Sequence, residues 1–160
     1  TKAKKRKNKR QKKSTITRLN KDEISVVAKV LDNFALPSSL ENWQNAVLQS
    51  NGHVFVPALA PDLLTELYVL NNGVELGLLK KKRFEPSHQL AEVLGQKEQK
   101  QLINFEDKVD YERYIHGETI KVDSNLRGFV LVAYQNHIFS FGKIGNDQIL
   151  KNFYPKGLRK

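Results

Sequence analysis

The chain has 160 residues, 39% hydrophobic and 28% charged, with a formal net charge of +10. That is enough for one ordinary globular domain or two small ones, and no apolar run approaches the roughly 20 residues needed to cross a bilayer. There is no Cys, which excludes disulfides and thiolate zinc sites, and the four histidines, His53, His88, His116 and His137, are scattered, so no structural metal is expected.

The charge is unevenly placed. Residues 1–21 carry eleven Lys/Arg and no acid, leaving sixteen basic against seventeen acidic groups in the remainder. Within that near-neutral remainder, Lys80, Lys81, Lys82 and Arg83 form one basic block. Lys143, Lys151, Lys156, Arg159 and Lys160 form another, opposed only by Asp147. Between them lies an acid-rich span with Glu106, Asp107, Asp110, Glu112, Glu118 and Asp123, so a basic face and an acidic back are expected. Without a signal peptide or Cys, the chain is expected in the cytoplasm. There is no Met either, so Thr1 is read as lying inside a longer protein.

Residues 1–19 are dense in like charge and lack hydrophobic periodicity, which predicts a flexible basic linker, either a soluble tether or an arm that meets RNA without reading its sequence. Asn20 is placed to cap a helix in which Ile24, Val27, Val30, Leu31 and Phe34 recur at helical spacing until Pro37 ends it. A second short helix is predicted from Ser39 through Trp43 and Leu48 to Asn51-Gly52, with Trp43 in the core. The run 53–57 alternates as a strand ended by Pro57. A helical turn at 61–64, a strand at 67–70 and a tight turn at Asn72-Gly73 into a strand over 74–79 follow.

Next, Glu85-Pro86-Ser87 has the composition of a helix start, with Leu90, Ala91 and Leu94 as its buried stripe. On that reading the basic block stands at the mouth of a helix N-terminus, with Phe84 and His88 interleaved among the charges. The polar stretch 95–101 is the candidate internal boundary, dividing residues 20–98 from 99–160. A helix over 110–115, a strand over 118–122, and the apolar strand 128–134 turned by Gln135-Asn136 into 138–142 predict a small barrel or curled sheet. The closing stretch joins Lys151, Lys156 and Arg159 to Tyr154, Pro155 and Gly157: cations for phosphates, an aromatic for an unpaired base, and a constrained backbone. Phe153 and Leu158 are assigned to packing.

Three segments in order carry a family resemblance: Leu76-Gly77 through Lys81 with Arg83-Phe84-Glu85-Pro86-Ser87-His88 and Leu90-Ala91; Gly128-Phe129-Val130-Leu131-Val132 with Gly142-Lys143; and Leu150-Lys151-Asn152 with Tyr154-Pro155-Lys156-Gly157-Leu158-Arg159. The chain resembles the C-terminal region of RsmF-type Nop/Sun RNA (cytosine-C5) methyltransferases over roughly residues 20–160. The resemblance implies an α+β fold, a small mixed α/β domain followed by a PUA-like β-barrel domain that binds RNA. Phe129 and Phe141 stand where that family usually has Trp, and Ser140 where it usually has Gly.

In that family a Cys thiolate attacks C6 of cytosine, with S-adenosylmethionine as methyl donor. This chain has no Cys and no Gly-rich strand-to-helix turn, so catalysis and cofactor are expected to belong to another domain of the same protein. The resemblance therefore implies an RNA-binding appendage that positions small-subunit rRNA. Its expected contacts are Lys80, Lys81, Lys82, Arg83, Lys143, Lys151, Lys156 and Arg159 on phosphates, with Phe84, His88 and Tyr154 on a base or sugar. Asn152 is either a further contact or the cap of a turn. The competing expectation is a protein-interaction or structural domain docked on the catalytic domain or a ribosomal protein.

Overall fold

In the computed structural model, residues 16–57 and 73–159 are described. The expectations at 1–15, 61–64, 67–70, Asn72 and Lys160 lie outside them. Two five-stranded sheets with three α-helices make up the described residues. The first sheet is an antiparallel meander in chain order: β1 (Ile16–Arg18), β2 (Val47–Gln49), β3 (His53–Val56), β4 (Val74–Lys80) and β5 (Arg83–Pro86). Helices α1 (Lys21–Leu31) and α2 (His88–Leu94) pack on it.

Helix α1 begins where its chemistry predicts. The Asn20 side chain accepts from the Glu23 N–H at 2.8 Å while Glu23 accepts from the Asn20 N–H at 2.9 Å, so two otherwise unpaired donors are satisfied reciprocally. The linker expected over 1–19 does not extend to its end. Ile16–Arg18 pair with Val47–Gln49, and Leu19 is buried, because an apolar pair (Ile16, Leu19) outweighs local charge once a partner strand is present. The helix expected from Ser39 to Leu48 is replaced by 3-10 turns at Ser38–Leu40 and Trp43–Asn45 followed by β2. Leu40, Trp43, Ala46 and Val47 are buried as a helical stripe would be, so periodicity alone did not separate the two conformations. Likewise Glu85 and Pro86 finish strand β5, and α2 starts one residue after Ser87, whose hydroxyl accepts from the Leu90 N–H.

The second sheet runs β6 (Leu102–Phe105), β8 (Gly128–Tyr134), β9 (His137–Ile144), β10 (Ile149–Asn152), β7 (Ile120–Lys121), with only β6–β8 parallel. Gln135 and Asn136 both take positive φ, which a two-residue hairpin turn needs to match strand twist. Helix α3 (Lys108–Ile115) lies between β6 and β7 in sequence, and those strands form opposite edges of the sheet. The helix therefore crosses the face bearing Val130, Val132, Ile144 and Leu150, and the sheet curls over it as a half-barrel.

One core runs through both sheets. Leu131 and Phe141 of the second sheet are buried with Leu76 of the first sheet, with Leu31, Leu90 and Leu94 from the helices packed on it and with Phe34 just beyond α1, and the Phe141 ring meets Phe34 edge-on at 5.7 Å. Helix α2 packs on both β4 and β9. The polar stretch 95–101 joins the two parts and is itself pinned. Gln99 is buried, donating to the Ala35 and Leu94 carbonyls and accepting from the Ala35 N–H, and Gln101 donates to the Arg127 and Phe129 carbonyls. Gln-rich sequence here satisfies buried backbone rather than loosening a hinge.

Trp43, the only Trp, lies in the first part, so its fluorescence follows unfolding from that side of the shared core. Phe141→Ala removes a ring from the second part, and is expected to cost about 3–5 kcal/mol as a large-to-small core change. In a urea titration, Trp43 fluorescence and far-UV circular dichroism should both shift to the same lower midpoint. A Trp43 transition unmoved by Phe141→Ala would refute the shared core.

Candidate nucleic-acid interface

The basic block of residues 80–83 is the tip of the β4–β5 hairpin, not the mouth of a helix. Lys80 pairs across the ladder with Arg83, and Lys81 and Lys82 form the turn. All four are exposed. Strand alternation sends Arg83 and Glu85 outward and Phe84 and Pro86 inward. Glu85 sits 3.5 Å from Lys80 Nζ and 3.6 Å from Arg83 Nη2, so one carboxylate partly offsets two cations. Phe84 is only 2% exposed and packs in the shared core under Gly77, where a Cβ would stand 2.8 Å from the Phe84 ring. It therefore offers no face to a base, contrary to its expected role, because the β5 pleat turns it away from its charged neighbours.

The two basic blocks meet. A surface cleft of about 240 Å3 lies between α1, the hairpin tip and the start of β8. Lys29, Lys82, Arg83 and Lys143 line it, and among the described residues no carboxylate does. Lys143 also sits 5.0 Å over the Phe129 ring, and Phe153 closes on Phe129 edge-on at 5.1 Å. The Phe129 ring is thus engaged by a cation and a second aromatic. In register, Phe129 faces Lys143 and Lys143 faces Lys151, so the three stand in a row across β8, β9 and β10 on one side of the sheet. Lys29 was not anticipated. Its signal was the spacing of Val26, Lys29, Val30 and Asn33, which share one helical face.

The remaining expected residues lie elsewhere. Asn152 follows Lys151 and so points to the opposite side of β10. Its Nδ2 donates to the Tyr114 and Glu118 carbonyls at 2.6 and 2.9 Å, and its Oδ1 accepts from the Tyr154 N–H at 2.9 Å. These bonds hold the C-terminal end of α3 and set the turn into the closing stretch. Arg159 lies on that same side, its Nη2 3.5 Å from Asn152 Oδ1 and its guanidinium over Gly117. A single face carrying all the cations is therefore not what forms: Lys143 and Lys151 share a side of the sheet, and Arg159 takes the other. Lys156 is exposed in the 3-10 turn Lys156–Leu158, and Leu158 is 49% exposed, so it does not serve the packing expected of it.

His88 and Tyr154 come together, their rings edge-on at 6.0 Å, in a second cleft of about 470 Å3 between α2, α3 and the β8–β9 turn. His88 Nε2 lies 3.3 Å from Glu92. Among the described residues no cluster of His, Asp or Glu could hold a metal ion.

Beneath the cationic row lies Tyr114, fully buried. Its hydroxyl donates to the Phe141 carbonyl at 2.6 Å and accepts from the Phe153 N–H at 3.3 Å. Burial pushes this phenol well above the ordinary tyrosine range, partly offset by the Phe153 N–H and Arg159.

Two small sheets with a shared core, a cation-lined cleft and a ring-lined cleft define a binding module. Compared with protein-family models, residues 32–94 match the RsmF rRNA methyltransferase first C-terminal domain, and residues 106–160 match the methyltransferase RsmF PUA domain. No curated protein matches the chain. The chain belongs to the C-terminal region of RsmF-type methyltransferases.

Two predictions concern the support of the interface. Because the Tyr114 pKa is raised on folding, its contribution is fully present below the unfolded value near pH 10 and is lost as pH rises above it, at up to about 1.4 kcal/mol per pH unit. The unfolding free energy measured through that range should therefore fall more steeply for the native chain than for Tyr114→Phe. Asn152→Ala removes the side-chain bonds to the Tyr114 and Glu118 carbonyls and leaves the Tyr154 N–H without its Asn152 partner, and is expected to lower stability by about 1–3 kcal/mol in denaturant titrations.

Proposed function

We propose that this chain is the RNA-binding C-terminal portion of an S-adenosylmethionine-dependent rRNA (cytosine-C5) methyltransferase, and that its cationic face holds phosphates of small-subunit rRNA. The observation that carries the reading is the convergence of Lys29, Lys82, Arg83 and Lys143 on one cleft, with Lys151 in the same row as Lys143. These five residues come from α1, the β4–β5 hairpin, β9 and β10, so a ligand spanning them touches both matched domains. Cations gathered on a cleft whose described lining includes no carboxylate, with Glu85 beside Arg83 only partly offsetting them, release counterions when they meet a phosphate backbone.

Such contacts supply affinity and register, while the reacting base is read where the chemistry occurs. The chain has no Cys, so the thiolate needed for attack at C6 belongs to a catalytic domain of the same protein, which also holds the methyl donor. The domain limits follow the same reading: an α+β unit to about residue 98, and the PUA-like unit beyond it. On this reading Lys80 and Lys81 add long-range attraction from the hairpin tip, and Lys156 and Arg159 lie off the main phosphate path.

The test is fluorescence anisotropy of a short rRNA hairpin bound to the chain through a salt titration. Lys82→Ala, Arg83→Ala and Lys143→Ala together should lower affinity at least tenfold. They should also reduce the slope of log affinity against log salt by about 2, given about 0.7 per phosphate contact on single-stranded RNA. Unchanged affinity and slope would overturn the assignment of this face.

A further inference from the structure

The cleft that gathers His88 and Tyr154 lies at the far end of β9 from Lys143, roughly 20 Å away along the strand. Its wall is a relay of rings. Tyr111 stacks on Tyr134 at 4.3 Å and 11°, Phe139 meets Tyr111 edge-on at 5.1 Å, and Tyr154 meets both Phe139 and His88 edge-on at 5.9 and 6.0 Å. These rings come from α2, α3, both strands of the β8–β9 hairpin and the closing stretch, so the wall exists only in the folded chain. Among the described residues His88 Nδ1 is buried without a hydrogen-bond partner. An apolar side chain at 88 would pack there without that cost, so packing alone does not account for an imidazole at this position.

Around the rings stand polar groups with unused capacity. His137 and Gln96 are exposed, and neither side chain has a hydrogen-bond partner among the described residues. Asn136 spends its Oδ1 and backbone N–H on Asn104 and leaves its Nδ2 free. No Lys or Arg lines the cleft among the described residues, whereas Glu92 does. That environment disfavours a phosphate and favours a flat, uncharged heteroaromatic group, which stacks on rings and exchanges hydrogen bonds at its edge.

We propose that this cleft takes one unpaired nucleobase of the RNA strand whose phosphates meet the cationic face. The proposal rests on the RNA-binding reading above and adds to it a site for a base. The volume, about 470 Å3, lies within the range of pockets that enclose a small ligand, and admits a base together with its ribose. Phosphate contacts near Lys143 and a base held near Tyr154 fix two points on one strand, which sets its direction as well as its position.

The test places 2-aminopurine, a fluorescent base quenched on stacking, at successive loop positions of the same RNA hairpin bound to the full chain. One position should be quenched on binding. Tyr154→Leu should relieve that quenching and weaken binding about tenfold with the salt slope unchanged, since no phosphate contact is lost. Because Tyr154 is also a packing residue, the paired surface variant His137→Ala with Gln96→Ala serves as the second arm. It should weaken binding several-fold and reduce the quenching while Trp43 fluorescence stays native. RNA bound with native salt dependence, but with no loop position quenched or with quenching unaltered in both variants, overturns the base site and leaves the cationic face standing. No binding of RNA at all overturns both.

Discussion

The arrangement of the interface depends on one buried hydroxyl. Tyr114 reaches from α3 through the hollow of the second sheet and donates to the Phe141 carbonyl on β9, with the Lys151 carbonyl of β10 3.4 Å away. It also accepts from the Phe153 N–H where the chain leaves β10. Three backbone segments are thereby tied at a single point that is dry, where a hydrogen bond is strong and an unmade one is expensive. The contact requires Gly142: a Cβ there would stand 2.7 Å from the Tyr114 oxygen and 2.5 Å from Leu150 Cδ1. Lys143 and Lys151, the residues beside this tie, are thus held across the ladder from one another.

The second constraint is the shared core. Leu131 and Phe141 sit on the side of the sheet away from α3, and on that side they meet Phe34 and the residues around α2. Two residues further along the same strands, on the same side, Lys143 reaches the cleft beside α1 and the β4–β5 hairpin, lying over the buried Phe129 ring. The seam that buries apolar rings thus continues outward as the cleft that gathers cations. The relative position of the two matched domains, and so the spacing of Lys82 and Arg83 from Lys143, is set by packing rather than by a linker.

The closing stretch divides its work between these constraints. Lys151 belongs to the cationic row, Asn152 caps α3, Phe153 packs on Phe129, and Tyr154 joins the ring wall of the second cleft. Four consecutive side chains serve four neighbours because strand alternation and the turn after β10 send each in a different direction. Glu85 plays a comparable part at the hairpin. It leaves the tip net positive while it moderates the repulsion between Lys80 and Arg83.

Some of this was legible in the residues. The Asn20 cap with Glu23, the β8–β9 hairpin with its Gln135-Asn136 turn, strand β3 ended by Pro57, and the clustering of charge in two blocks follow from local rules of capping, turn geometry and alternation. The burial of Trp43 followed from its place on an apolar stripe, although the stripe proved to be two 3-10 turns and a strand. Strands β1 and β6 were not legible, since a short run becomes a strand only when a partner supplies its hydrogen bonds: Val47–Gln49 for β1 and β8 for β6. The sequence by itself determined which side chains carry charge and rings, and where the chain can turn. Only the tertiary structure decided that Phe84 is buried, that Lys29 joins Lys82, Arg83 and Lys143, and that Arg159 stands apart from Lys151. Those outcomes depend on which side of a strand meets which neighbour across distant parts of the chain.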